Sequence, residues 1–442
     1  MTDPGMSVAP YWELTFDADG DVDGRERDRL LEGVTREGVR DLIVFAHGWN
    51  NDRRRATDLY RRFFAPIPGL GPAARIGYVG VVWPSMRFCD EPVPDFPRAT
   101  AAGPPPGPAL DKDTRVALLA AFPGRATVID RIARLLDGPP PGAAALDEFG
   151  RLVRLLVEVE PSSPRTLFAA DTVAEGEPPD EPEMFSRPAA EVCAEFAGAL
   201  AGLPAAAGEE SFALPGALGE ARSGALELLR QATYFEMKRR AGTVGERGLG
   251  PAVGRLAAAA PDVRVHLVGH SFGGRLVSFA LRGLPEGVRT VKSVTLLQGA
   301  FSHHAFADRV PDDARAGGVL RGLYRRVDGP VVCCFSRFDS ALGTIYPMAS
   351  RLAGDDRSLA GFDLGRLLGA RWGAMGHDGV QGVPATHACT LADALRAPLP
   401  ASGCVNVDAA EVVRRGGPPS GAHSDILHPE LARVVLAAGR IG

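Results

Sequence analysis

Residues 261–283 read PDVRVHLVGHSFGGRLVSFALRG, and their pattern decides the fold. The run 263–268 is largely apolar and rich in valine, which suits a strand buried on both faces. From Gly273 the period changes, and Leu276, Val277 and Ala280 fall at helical spacing. Between strand and helix stands Gly269-His270-Ser271-Phe272-Gly273, a Gly-x-Ser-x-Gly turn. So short a turn needs glycines where the backbone crowds itself, and it lifts the central hydroxyl clear of the sheet. Ser271 is therefore the candidate nucleophile, the plain alternative being a structural serine in a Gly-rich turn.

Outward from this unit, apolar runs recur at 11–16, 42–46, 78–83, 293–297, 331–335 and 404–407. Several are continuous rather than alternating, as parallel strands covered on both faces must be. Helical patterns lie between them, as at 52–64, where Ala56, Leu59, Tyr60 and Phe63 share a face. This alternation predicts an α/β fold with a mostly parallel central sheet flanked by helices.

From about 90 to 248 the alternation stops. No strand pattern is evident, and helical patterns at 116–136, 146–159, 192–200 and 226–241 are separated by the proline-rich stretches EPVPDFPRATAAGPPPGP, DGPPPG and EGEPPDEPEMFSRP. The reading is a large helical, Pro-rich insertion with disordered loops, placed before the nucleophile strand. It divides the chain into an N-terminal part of the core at 1–90, the insertion at 91–248 and a C-terminal part of the core at 249–442. The stretch YFEMKRRAGTVGERGLG, 234–250, combines aromatics, cations and glycines and reads as a solvated helix face ending in a Gly loop, the alternative being that it lines the pocket or binds an anionic group.

The 442 residues carry 49 Lys and Arg against 54 Asp and Glu, a net charge of -5 with no basic block. The electrostatic footprint of a nucleic-acid binder is missing, so no nucleic-acid partner is expected. No run approaches the roughly 18 apolar residues of a membrane span, and the start MTDPGMSVAPYWELTF lacks the pattern of a secretion signal. Six scattered cysteines, none in a CxxC pair, argue against a zinc site or disulfide framework and for reduced thiols in a cytoplasmic protein. His303 and His304 are adjacent, so their side chains diverge, and without a third ligand no metal is expected.

A serine hydroxyl needs a base, a carboxylate to orient that base and donors for the oxyanion. The run 42–46 ends at His47-Gly48-Trp49-Asn50-Asn51, a Gly turn at the C-terminal end of a strand. There the backbone N–H of Trp49 and that of Phe272 would converge on developing negative charge. His47, Gly48 and His270 flank the same place as candidate substrate contacts, and His270 also suits packing within the elbow. Asp339, just past the run 331–335, is the preferred carboxylate. Asp308 remains the alternative, whereas Asp328 precedes that run at the wrong end of the sheet. His423, in a Gly/Ser loop ahead of the last helical pattern, is the preferred base; His428 reads as a helix start, and His377 and His387 as surface residues.

The order Ser271, Asp339, His423 and the stretches LIVFAHGWNND, VVWPS, HLVGHSFGG, CFSRFDSALG and GAHSDI together resemble the α/β-hydrolase superfamily. Within it they resemble bacterial serine hydrolases of the esterase and lipase kind. The resemblance covers about residues 10–90 and 245–440 and not the insertion. It implies an α/β-hydrolase fold with a sheet of the eight-stranded type, a serine mechanism that cleaves esters, and no cofactor. Many caps of the family follow the strand after the nucleophile, whereas this insertion precedes the nucleophile strand, so it either covers Ser271 or extends sideways. The expected function is cleavage of a small-molecule carboxylic ester or thioester through an acyl-enzyme. The alternatives are a catalytically weak scaffold whose insertion binds a protein partner, and an amidase or peptidase, which needs the same three residues.

Overall fold

The computed structural model describes residues 5–49, 51–70, 75–86, 88, 110–138, 142–157, 168–174, 183–201, 217–311, 315–339, 373–416 and 421–442. Asn50, Cys89 and the proline-rich segments 91–108, 139–141 and 175–182, with the disordered loops expected there, lie outside the described residues.

Ten strands occur among the described residues: β1 (Tyr11–Thr15), β2 (Asp41–Ala46), β3 (Ile76–Val82), β4 (Thr172–Ala174), β5 (Arg264–His270), β6 (Val291–Leu297), β7 (Ala316–Gly318), β8 (Pro330–Phe335), β9 (His387–Thr390) and β10 (Gly403–Asp408). Eight of them form one sheet in the order β1-β3-β2-β5-β6-β8-β10-β9, with every neighbouring pair parallel. β4 and β7 pair separately as a short antiparallel ribbon.

The central strands are largely apolar because both faces of the sheet are covered. β2 reads DLIVFA and is buried at every position, with Leu42 and Val44 in one apolar layer and Ile43 and Phe45 in the other. The first layer receives helices Gly24–Arg36, Gly250–Ala259 and Phe272–Gly283. The second receives Arg53–Phe64 and Pro429–Gly439. In that layer Phe45 meets Phe63 at 4.8 Å and Tyr60 at 5.4 Å, and burying such a ring is worth about 2–3 kcal/mol.

The winding reverses between β2 and β5. From β2 the chain builds outward to β3 on one side, and from β5 it builds outward through β6, β8 and β10 on the other. Loops leaving the C-terminal ends of β2 and β5 therefore diverge and leave a crevice, the place where an open parallel sheet receives a ligand.

Seven of the eight sheet strands fall on the apolar runs read from the sequence. β9 does not, because as an edge strand it exposes three of its four residues and carries no apolar run. Between β3 and β5 the described residues are mainly helical: Lys112–Ala121, Ala126–Asp137, Ala143–Val157, Ala189–Ala201 and Ala217–Thr243. The single helix expected over 116–136 is two helices, since Pro123 lacks an N–H and Gly124 turns at φ 82°. β4 is a three-residue strand where none was expected.

The Gly loop expected within 234–250 is a helix instead. Ala217–Thr243 runs on through a π-helical stretch, Val244–Leu249, into Gly250–Ala259 and then into β5. Its glycines bring it hard against Phe272–Gly283. A Cβ on Gly245 would lie 2.2 Å from the Leu276 carbonyl oxygen, and one on Gly250 2.5 Å from that of Ala280. Among the described residues, no helix is long and apolar enough to cross a membrane.

Candidate active site

Ser271 stands at the end of β5 with φ 55° and ψ −123°, a backbone conformation that costs a non-glycine residue about 1–3 kcal/mol. Hydrogen bonds impose it. The Ser271 N–H donates to Leu297 O (3.1 Å), and its carbonyl accepts from the N–H groups of Gly274 (3.0 Å) and Ala300 (3.2 Å). The flanking glycines are steric necessities: a Cβ on Gly269 would lie 2.3 Å from Gly273 O, and one on Gly273 1.9 Å from Ala46 O. The turn is pressed against the end of β2, where Ala46 is in register with Gly269.

Two further strand ends complete the arrangement. Asp339 follows β8, and His423 lies in the loop between β10 and helix Pro429–Gly439. His423 Nε2 is 2.9 Å from Ser271 Oγ, and its Nδ1 is 2.7 Å from Asp339 Oδ2. A serine O–H donating to Nε2 requires the proton on Nδ1, and that N–H donates to the carboxylate. Asp339 is fully buried while the His423 side chain keeps 15% of its surface exposed, so the relay runs from the interior toward solvent. The two loops also bond to each other, the Ala422 N–H donating to Phe338 O at 2.9 Å.

The other candidates lie elsewhere. Asp328 pairs with Lys292 at 2.5 Å before β8, and His423 has Asp339, not Asp308, as its carboxylate partner. His428 bonds Asp425 at 2.8 Å, and His387 starts the edge strand β9. His377 Nδ1 reaches the backbone oxygen of Asp339 at 3.3 Å. His303 lies 3.3 Å from Asp378, and among the described residues no cluster of three metal-ligating side chains occurs.

Gly48 follows β2 and faces the nucleophile so closely that a Cβ on it would be 2.6 Å from Ser271 Cβ. Trp49 comes next in the chain. Phe272 is the first residue of helix Phe272–Gly283, so its N–H has no acceptor within the helix and lies at the positive end of the helix dipole. His47 is buried behind the turn, stacked on Trp83 at 5.5 Å, with its Nδ1 2.9 Å from Gly48 O. Burial pushes its pKa down to about 4. His270 is buried beneath the base, and its Nε2 is 2.9 Å from His423 O. Burial, and secondarily the nearby His423, push its pKa down to about 3. Of the three expected substrate contacts, the structure thus sets Gly48 against the nucleophile and the two histidines in the packing behind it.

A second Ser–His–Asp chain exists in the molecule. His266 Nδ1 is 3.0 Å from Ser293 Oγ, and its Nε2 is 2.9 Å from Asp41 Oδ1. All three are buried inside strands toward the opposite end of the sheet, so no substrate reaches them. Distances alone therefore do not mark a nucleophile; Ser271 differs from Ser293 in standing at a strand-to-helix turn at positive φ.

Sequence reasoning missed the pairing of Asp171 with Arg275 and Lys238, and offered the stretch that carries Tyr234 and Lys238 as a pocket lining or anion site only as the lesser alternative. Arg275, one turn beyond Ser271, is fully buried and pairs with Asp171. It also donates to the backbone oxygens of Lys238 (3.1 Å), Phe168 (2.7 Å) and Ala170 (2.7 Å), and lies 4.4 Å over the Phe279 ring. Asp171 in turn accepts from Lys238 Nζ (2.8 Å) and from the Ser302 N–H (3.0 Å). One faint signal was available: Lys238 is one of only three lysines among 49 cationic residues. Beside this clamp the Tyr234 ring packs at 4.6 Å from Phe272 and 5.3 Å from Trp49. Comparison with known proteins finds no match to any family model, curated protein or solved structure.

Proposed function

We propose that the protein is a serine hydrolase of α/β-hydrolase fold that cleaves a carboxylic ester or thioester. The observation that carries this reading is the unbroken relay Ser271–His423–Asp339, headed by a hydroxyl held at positive φ on a strand-to-helix turn. His423 takes the Ser271 proton as Oγ attacks the acyl carbon, and Asp339 stabilises the imidazolium. The amides of Trp49 and Phe272 receive the oxyanion. His423 then protonates the leaving alcohol or thiol, and water attacks the acyl-enzyme by the reverse path. No cofactor enters this chemistry. The five described cysteines are free thiols, which supports a reducing, cytoplasmic setting.

The test is labelling of the wild type, Ser271→Ala and His423→Ala with a fluorophosphonate probe at matched folding. Labelling of the wild type alone is the expected result. A folded wild type that resists the probe and hydrolyses no ester would overturn the reading.

A further inference from the structure

We propose that Tyr234 and Trp49 form the wall that receives the acyl group of the substrate, and that this wall selects a flat, apolar, aromatic acyl group over a small one. The inference rests on the serine hydrolase reading and deepens it.

Three rings stand together beside the nucleophile. Phe272, directly after Ser271, is fully buried, and Trp49, directly after Gly48, lies 6.4 Å from it. Tyr234 packs against both, at 4.6 Å from Phe272 and nearly perpendicular to Trp49 at 5.3 Å. Trp49 and Tyr234 are half-buried, packed against the core that contains Phe272. Rings crossed in this way offer face and edge to a third ring.

The direction of the chemistry decides which half of the ester they meet. Ser271 Oγ bonds to the acyl carbon and the bond to the leaving oxygen breaks, that oxygen taking its proton from His423 Nε2. The alcohol therefore faces His423, whose ring neighbour is His270 at 5.1 Å. The aromatic set is built on Trp49 and Phe272, the residues whose amides this reading gives to the oxyanion, and we therefore assign it to the acyl substituent. Arg230, one turn from Tyr234, lies over Phe88 at 5.4 Å and is paired with Glu227 at 2.9 Å.

The wall is also fixed in register. Lys238 is one turn beyond Tyr234, Arg275 is one turn beyond Ser271, and the Lys238 carbonyl accepts from Arg275 Nε at 3.1 Å. The two helices that set Tyr234 over Phe272 are thus tied together one turn further along each.

The experiment measures kcat/KM for p-nitrophenyl acetate, octanoate and benzoate, and for benzoate esters of different alcohols, with wild type, Tyr234→Phe and Tyr234→Ala. The wild type is expected to favour benzoate over both other acyl groups. Tyr234→Ala should lower the benzoate-to-acetate ratio about tenfold, and Tyr234→Phe, which keeps the ring, should hold it. A ratio cancels any general folding defect, which lowers every rate alike. An unchanged ratio in Tyr234→Ala, an equal drop in Tyr234→Phe, a wild type favouring octanoate, or a selectivity that follows the alcohol would each overturn the proposal. All four leave fluorophosphonate labelling of Ser271 intact. Loss of labelling in the wild type marks instead the failure of the hydrolase reading, and the acyl wall falls with it.

Discussion

His270 Nε2 lies 2.9 Å from the backbone oxygen of His423, so the residue just before Ser271 holds the loop that carries His423. Burial keeps the His270 ring neutral, with a pKa near 3, and its Nε2–H remains a donor throughout the neutral range. We expect His270→Ala to slow fluorophosphonate labelling about tenfold, the worth of one hydrogen bond, while His270→Gln, which keeps a donor, loses less. Equal rates for the two variants, at circular-dichroism spectra matching the wild type, would remove this positioning role.

The two buried histidines also predict how stability depends on pH. Burial lowers the pKa of His47 to about 4 and that of His270 to about 3 from an ordinary 6.5. Between those values and 6.5 the unfolded chain binds protons that the folded chain refuses, so stability rises with pH across that window. Their contribution is complete above about pH 6.5 and is lost as the pH falls toward 4 and below, at up to about 1.4 kcal/mol per pH unit for each ring. Urea midpoints measured from pH 4 to 7 should show this slope, and it should lessen in His47→Gln.

Asp171 neutralises both Arg275 and Lys238 where none of the three meets solvent. Asp171→Ala leaves two cations buried without their carboxylate, and we expect a loss of about 3–5 kcal/mol in denaturant unfolding. Replacing all three with apolar residues of similar volume should cost much less. Comparable losses in the single and triple variants would show that the clamp matters for its shape rather than its charge.

Gly48→Ala tests the approach of β2 to the elbow, because the added Cβ would meet Ser271 Cβ at 2.6 Å. A shift of about 1 Å at a nucleophile costs on the order of a hundredfold in rate, and labelling should slow accordingly with little change in thermal midpoint. Ser293→Ala, in the buried second Ser–His–Asp chain, should label at the wild-type rate. Loss of labelling there would mean that the reactive serine has been misassigned.

What the sequence reveals here is what is local. β2 and β8 hold continuous apolar runs and β5 and β6 largely apolar ones, and Ser271 and Asp339 follow where such runs stop, so both strands and residues are readable in place. β9 is not, since an exposed edge strand has no apolar signature. The Gly-rich stretch 242–250 misleads because glycine serves two ends: it opens loops, and it lets helices touch backbone to backbone, as Gly245 does at Leu276. Pairings such as Asp171 with Arg275, 104 residues apart, leave no trace in either neighbourhood. Tyr234 gains its place only once two helices are packed together.

The uninterrupted helical run from Ala217 to Ala259 works as a rotary shaft. Each residue advances a helix by about 100°, so one residue inserted between Tyr234 and Lys238 would swing the phenol away from Phe272 while leaving the anchored half and the elbow where they are. Angular phase along this shaft, more than the size of any one side chain, would then decide which residue lies over Phe272.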